Sequence, residues 1–234
     1  MNLNHVGDEG ATQLADCLRF NSTLKSLELR KNSIGGAGAT HLAECLRFNT
    51  ALTSLNLRDN IIGTTGAAQL AECLHVNATL RILDLGLNFL GAVGATHLAE
   101  CLRVNATLTS LDLSCNNIGA EGAAQLAACL RVNTTLTKLS LLANHIDEAG
   151  VTQLAECLRV NTTLTSLNLG YNQIGDAGAL QLAECLRTNT TLTSLERVSL
   201  GVYGNKNVGD AAQLALREAC ALHCTLMPDH PRLF

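Results

Sequence analysis

Residues 164–191 read Leu-Thr-Ser-Leu-Asn-Leu-Gly-Tyr-Asn-Gln-Ile-Gly-Asp-Ala-Gly-Ala-Leu-Gln-Leu-Ala-Glu-Cys-Leu-Arg-Thr-Asn-Thr-Thr. Two hydrophobic periods share this stretch. Leu167 and Leu169 alternate with polar neighbours, the period-two pattern of a short strand with one buried face. From Ala179 the period changes, and Ala179, Leu182, Ala183 and Leu186 fall at i, i+3, i+4 and i+7, one stripe of an amphipathic helix. Asn172 sits where the chain must turn out of the strand. Its amide carries both donor and acceptor, so stacked copies can satisfy the backbone of the turn. Asn189 follows the helix as a residue tolerant of a left-handed stop. The stretch therefore reads as strand, turn, helix, turn.

Outward from this stretch the same 28-residue unit recurs. Leu24, Leu52, Leu80, Leu108, Leu136 and Leu164 are in phase, as are Asn32, Asn60, Asn88, Asn116, Asn144 and Asn172. Residues 24–191 hold six full units without insertion or deletion. One unit cannot cover its own apolar stripe, so the units must stack. Residues 1–23 align as a truncated unit, with Met1 where the last strand leucine belongs. The expectation is a chain that begins inside a repeat, as a fragment or after loss of N-terminal domains. Residues 192–234 lose the beat: Leu195, Val198 and Leu200 suit a last strand, a helix is expected near Ala211 to Cys224, and Pro228 and Pro231 end regular structure. That degenerate segment reads as a C-terminal capping repeat and tail.

The pattern resembles the leucine-rich repeat, in its long helical ribonuclease-inhibitor-like subtype. Phrases such as Leu182-Ala-Glu-Cys-Leu-Arg-Thr-Asn-Thr-Thr-Leu-Thr-Ser-Leu195 are most similar to the repeats of NOD-like receptors. The resemblance implies an α/β horseshoe, a solenoid with a concave parallel β-sheet and convex α-helices. It implies no single function, because such repeats serve unrelated partners. Ran GTPase activators share the subtype but end in a strongly acidic tail, whereas this chain ends Met227-Pro-Asp-His-Pro-Arg-Leu-Phe234. Cytoskeletal or ciliary regulators built on the same repeats are a further class.

Composition agrees with a copied unit: 45 of 234 residues are leucine, 47% are hydrophobic and only 3% aromatic, with no tryptophan. Disorder is excluded by that apolar content. A net charge of −4 gives no basic footprint for nucleic acid or an anionic membrane surface. Uncharged stretches are too short to span a bilayer, and the first residues lack a signal-peptide pattern. With ten cysteines that the repeat geometry leaves unbridged, the expected location is the cytoplasm.

Seven of those thiols, Cys17, Cys45, Cys73, Cys101, Cys129, Cys157 and Cys185, recur at one helix position. Packed helices lie ~8–10 Å apart, beyond the ~7 Å Cα reach of a disulfide, so the column reads as small apolar side chains. Asn21, Asn77, Asn105, Asn133, Asn161 and Asn189 form Asn-x-Thr sequons but read as helix-ending residues. Cys220, His223, Cys224 and His230 are zinc-type ligands whose spacing matches no zinc motif, so no metal is assigned. The Gly-x-x-Gly-Ala before each helix lacks a following Gly-Lys-Ser/Thr and is a turn, not a phosphate loop. No catalytic grouping stands out, and no cofactor or small-molecule substrate is expected.

His41 and His97 read as solvated helix-face residues, and the pairs Glu44/Arg47, Glu100/Arg103, Glu156/Arg159 and Glu184/Arg187 as i, i+3 helix support. Phe20, Phe48, Val76, Val104, Val132 and Val160 follow the helices on the side a helical wheel leaves exposed. Packing beneath the turn is the expectation for them, an outer apolar contact stripe the alternative. Recognition is expected on the concave strand positions, where the repeat stops dictating identity. One column runs Glu28, Asn56, Asp84, Asp112, Ser140, Asn168, Glu196; the next runs Arg30, Arg58, Gly86, Ser114, Leu142, Gly170; a third runs Lys31, Asp59, Leu87, Cys115, Ala143, Tyr171. Glu28, Arg30, Arg58, Asp84, Asp112, Leu142 and Tyr171 are the candidate contacts for a protein partner of mixed polar and apolar character.

Overall fold

A computed structural model describes residues 4–192, 205 and 207–226. Each full repeat contributes one short strand and one helix. The strands are β1 (Ser26–Glu28), β2 (Ser54–Asn56), β3 (Ile82–Asp84), β4 (Ser110–Asp112), β5 (Lys138–Ser140) and β6 (Ser166–Asn168). The helices are α1 (Gly7–Phe20), α2 (Gly36–Leu46), α3 (Gly63–Leu74), α4 (Gly91–Leu102), α5 (Gly119–Leu130), α6 (Glu148–Leu158), α7 (Gly175–Thr188) and α8 (Asp210–Leu226). All six strands form one parallel sheet in chain order, each residue paired with its equivalent in the next repeat, as Leu27 with Leu55 and Leu83 with Leu111. Each helix packs on the next. Strands repeat every ~4.8 Å and packed helices every ~8–10 Å, so the stack bends with the sheet inside. The expected horseshoe is the observed fold.

The core lies between sheet and helices. Leu83, Leu85, Leu90, Leu98 and Leu102 of the third repeat are all within 1% of complete burial, as are their equivalents in the neighbouring repeats. Helices approach closely at the glycine of the first turn: a Cβ on Gly122 would stand 3.1 Å from Ala95 Cβ and 3.2 Å from Ala92 Cα of the preceding helix. A side chain there would push α4 and α5 apart.

Two asparagine ladders carry the polar burden of the interior. In the first, Asn116 Oδ1 accepts from the backbone N–H of Asn88 at 2.9 Å, and Asn116 Nδ2 donates to the carbonyl of Leu85 at 2.8 Å. In the second, Asn105 Nδ2 donates to Leu74 O at 2.7 Å, while its Oδ1 accepts from the N–H of Thr107 and Leu108. The sequon asparagines 77, 105, 133, 161 and 189 are thereby buried and fully engaged; Asn21 is exposed. The left-handed conformation expected after the helices is found elsewhere. Asn21 and Asn189 are extended (ψ 119 and 129), and the side chain, not the backbone, ends the helix. Left-handed residues instead precede the first ladder, at Lys31, Asp59, Leu87, Cys115, Ala143 and Tyr171. Each costs about 1–2 kcal/mol for a residue with a Cβ, offset by the turn that delivers the asparagine into the core.

The outer surface departs from expectation twice. Phe20, Phe48, Val76, Val104, Val132 and Val160 do not pack beneath the turn: every one is more than half exposed, Phe20 at 85%. α2 through α6 end two residues before this position, so the chain has already left the helical stripe when it is reached. Arg19 covers part of the ridge, its guanidinium 4.9 Å from the centre of the Phe48 ring. Replacing Val104 with Thr should therefore change the unfolding free energy by less than about 0.5 kcal/mol in urea titration; a loss several times larger would mean the residue is structural. The glutamate–arginine pairs also run mostly between helices. Arg47 meets Glu72 at 3.3 Å and Arg131 meets Glu156 at 3.2 Å, and among the described residues only Arg187 and Glu184 pair in the expected arginine–glutamate i, i+3 register. His41 is exposed beside Glu44, and His97 is half-buried.

α8 covers α7 at the far end. Leu195, Glu196, Val198, Leu200 and His230 lie outside the described residues, as do the side chains of Cys220, His223 and Cys224.

Candidate sheet-face interaction site

The strands are only three residues long, so just two side chains of each point out of the sheet. The second of these, in the column from Glu28 to Asn168, is only partly free for recognition. Asp84 Oδ1 accepts the N–H of Gly86 at 2.9 Å, Asp112 Oδ1 that of Ser114 at 2.8 Å, and Asn56 and Asn168 do the same two residues on. The Asp or Asn at this position thus closes an Asx turn out of the strand.

Arg58 lies across this column. Its Nη1 is 4.0 Å from Asp84 Oδ1 and 3.7 Å from Asp112 Oδ2, reaching from the second repeat to the fourth. Gly86 makes the path, since a Cβ there would collide with the guanidinium. Asp112 also accepts from Ser114 Oγ, which lies 2.8 Å from Ser140 Oγ, so one polar chain spans four repeats. Burial pushes the Asp84 carboxyl above the usual carboxylate range and Asp112 adds to the rise, against the opposing pull of the Gly86 N–H and of Arg58 and Arg30. Lys31 and Asp59 pair at 3.5 Å beside it.

The structure therefore brings Arg58, Asp84 and Asp112 together. Glu28 and Arg30 are exposed at the first strand, Leu142 is half-buried in the fifth repeat, and Tyr171 is exposed at the last. Leu142 follows β5, the strand beside the one that carries Asp112, whereas Tyr171 follows β6, one strand further on. Sequence reasoning passed over three exposed apolar residues, Ile61 and Phe89 on the loops that leave the second and third strands and Val93 in the first turn of α4. The signal was present: the residue after the ladder asparagine is polar at Ser33, Asn117, His145 and Gln173, and apolar only at Ile61 and Phe89.

The cysteine column is buried from Cys45 to Cys185, with thiols donating to carbonyls such as Leu98 O at 3.1 Å, while Cys17 is exposed and Cys115 half-buried. Among the described residues, no group of three or more His, Cys, Asp or Glu side chains is placed to hold a metal ion. No described helix is long and apolar enough to cross a membrane.

Stacked strand-and-helix repeats joined by an asparagine ladder define a repeat solenoid. The family described as Leucine Rich repeat matches residues 20–43, 48–71, 76–99, 104–127 and 160–183, just over half of the chain, and the protein belongs to that family. No curated protein matches it significantly. Among solved structures it is similar to leiomodin-1 actin-binding site 2, at 17% identity and a TM-score of 0.55 over 82% of this chain and 91% of that one. It is also similar to the tropomodulin C-terminal domain of Caenorhabditis elegans, at 16% identity and a TM-score of 0.53 over 66% of this chain and 92% of that one. A third is the leucine-rich-repeat protein LegL7 of Legionella pneumophila, at 15% identity and a TM-score of 0.48 over 94% and 89% of the two chains. These likenesses are of fold.

Proposed function

We propose that the chain is a nonenzymatic protein-interaction module that presents its sheet face to a protein partner. The observation that carries this reading is the four-repeat polar chain through Arg58, Asp84, Asp112, Ser114 and Ser140 on an otherwise uniform scaffold. Charged groups that are held in place by their neighbours recognise a partner at little ordering cost. Arg30 and Tyr171 extend the face at either end. The finer reading, a ribonuclease-inhibitor-like array from a NOD-like-receptor-type cytoplasmic scaffold, is supported by the repeat phrases of the sequence. The test is a simultaneous change of Arg30, Arg58, Asp84, Asp112 and Tyr171 to alanine. Binding of a partner confirmed with purified proteins should fall by at least about a hundredfold, and unchanged binding rejects the sheet face.

A second reading, a cytoskeletal regulator, draws on the likeness of fold to a domain named as an actin-binding site in leiomodin-1. Co-sedimentation with filamentous actin separates the two. Acceleration of GTP hydrolysis by a Ran-type GTPase would replace both with the activator class.

A further inference from the structure

The residue after each ladder asparagine reaches the rim where the chain leaves the sheet. His5, Ser33, Asn117 and His145 hold a left-handed backbone there, with φ between 52 and 57. All four are polar, and Asn and His are among the residue types most often found in that conformation. Phe89 holds the same conformation (φ 58) with its ring 66% exposed. Neither backbone preference nor burial accounts for an aromatic side chain at this point. Ile61, its equivalent in the preceding repeat, is 57% exposed, and Val93, one helical turn further on, 58%. The two loops are tied side by side: the N–H of Gly63 donates to Asn88 O at 2.9 Å and that of Asn60 to Leu87 O at 3.2 Å. The loops that carry Ile61 and Phe89 thus lie side by side, which places these exposed apolar residues on neighbouring repeats of one rim.

That rim adjoins the charged cluster through Gly86 and Leu87. In the strand-exit columns of the first four repeats, the cations Arg30, Lys31 and Arg58 face the carboxylates Glu28, Asp59, Asp84 and Asp112, leaving one negative charge in excess. Asp84 and Asp112 share the Arg58 guanidinium, at 4.0 and 3.7 Å, and the Arg30 charge also acts on Asp84.

We propose that the rim of the second and third repeats and the adjoining Asp84–Asp112 pair form one docking surface, for a protein segment that sets an apolar side chain against Phe89, Ile61 and Val93 and a lysine or arginine on the carboxylates. The proposal rests on the interaction-module reading and narrows its partner to a segment that is both apolar and basic. Aromatic anchors with a charged neighbour are the common composition of binding hot spots.

The experiment pans a random-peptide display library on the purified full chain and measures the enriched peptides individually by fluorescence anisotropy. Peptides pairing an apolar with a basic residue should dominate. Their affinity should fall at least about tenfold on Phe89→Asn and on the Asp84→Asn/Asp112→Asn double variant, with no change on Leu214→Ser, exposed on α8 at the far end of the array. Asn accepts the Asx-turn role at 84 and 112 and the left-handed backbone at 89, so the melting temperature should hold or rise while binding is lost. A merely structural Phe89 would show the reverse. Enriched peptides without a basic residue, or full binding to Phe89→Asn, overturn the proposal. If peptides bind and only Tyr171→Ser releases them, the interaction module stands and this surface falls; if no peptide is enriched, both fall.

Discussion

Brought from neutral pH to about pH 10, the folded chain is expected to unfold, with the buried thiol column as the cause. Burial pushes the thiols of Cys73, Cys101, Cys129 and Cys157 up to about 12. An unfolded cysteine ionises near about 8.5. Between those values the unfolded chain has released protons that the native chain still holds. The stabilisation is fully present below about pH 8.5 and drains away as the pH climbs towards the folded value. At about pH 10 each of the four thiols has removed roughly 1.4–2 kcal/mol, together ~6–8 kcal/mol, which is comparable with the whole stability of an ordinary domain. Cys45 and Cys185, pushed up to about 12 and about 11 near the two ends of the array, act in the same direction.

The measurement is far-ultraviolet circular dichroism against pH, for the parent and for Cys101→Ala/Cys129→Ala. The double variant loses some neutral-pH stability to the cavities it opens, yet its alkaline midpoint should move upward, because two of the linked protons are gone. Tyrosine and lysine ionisation are common to both chains and cancel in the comparison. A parent that stays folded at about pH 11, or a midpoint that the double variant leaves in place, would show that the column is not proton-linked to folding. The same burial forecasts the pattern of thiol labelling at about pH 8. Cys17 and Cys115 should react with a disulfide reagent long before Cys101 and Cys129, whose thiolate population is about a thousandfold below that of an ordinary thiol.

The repeat made the fold readable because every strand and helix is stated six times in the same phase, so chance apolar spacings average out. Leu27 and Leu29 alternate and Ala39, Leu42, Ala43 and Leu46 stripe in the sequence as they do in the structure. What local pattern could not supply were the contacts between units. Arg47 stands three residues from Glu44 in sequence, yet its partner is Glu72 on the next helix, where stacking brings the charges closer than the helix surface does. The column of Asp84 and Asp112 looked free to vary for a partner, although two-residue Asx turns already favour Asp or Asn there. Asn49 and its equivalents looked like left-handed helix stops because asparagine tolerates that conformation. Their side chains do more by reaching back to the carbonyl of Leu18, Leu46 or Leu74, a bond between repeats that single-unit reasoning does not see. Phe89 escaped notice because its column is a turn, where apolar identity carries no periodic signal.

Asn116→Ala is expected to cost about 3–5 kcal/mol, the largest loss for a change of so few atoms. Asn116 Oδ1 accepts from the N–H groups of Asn88 and Leu90, at 2.9 and 3.3 Å, and its Nδ2 donates to the carbonyls of Leu85, Leu113 and Ser114. Each of those carbonyls retains a second donor, from Asn88 Nδ2, Asn144 Nδ2 and Leu87 N respectively. The two N–H groups have no such reserve among the bonds of this interior, and orphaning a buried donor costs ~1–3 kcal/mol each. Asn116→Asp keeps the acceptor but aims a second oxygen at three carbonyl oxygens. An ionised carboxylate cannot remain there, so its folded pKa must rise above the unfolded value of about 3.9. The native state then holds the extra proton, and stability is lost as pH rises from the unfolded towards the folded value. Urea unfolding at about pH 7 should place Asp below Ala; at about pH 4, where the protonated acid donates to the carbonyls, the order should reverse. Because the array is nearly one-dimensional, hydrogen exchange should show the opening centred on the third and fourth repeats, with α1 and α7 less affected. Equal stability of Ala and Asp at both pH values would mean that the amide is not holding the turns together, and the ladder would have to be reassigned to packing alone.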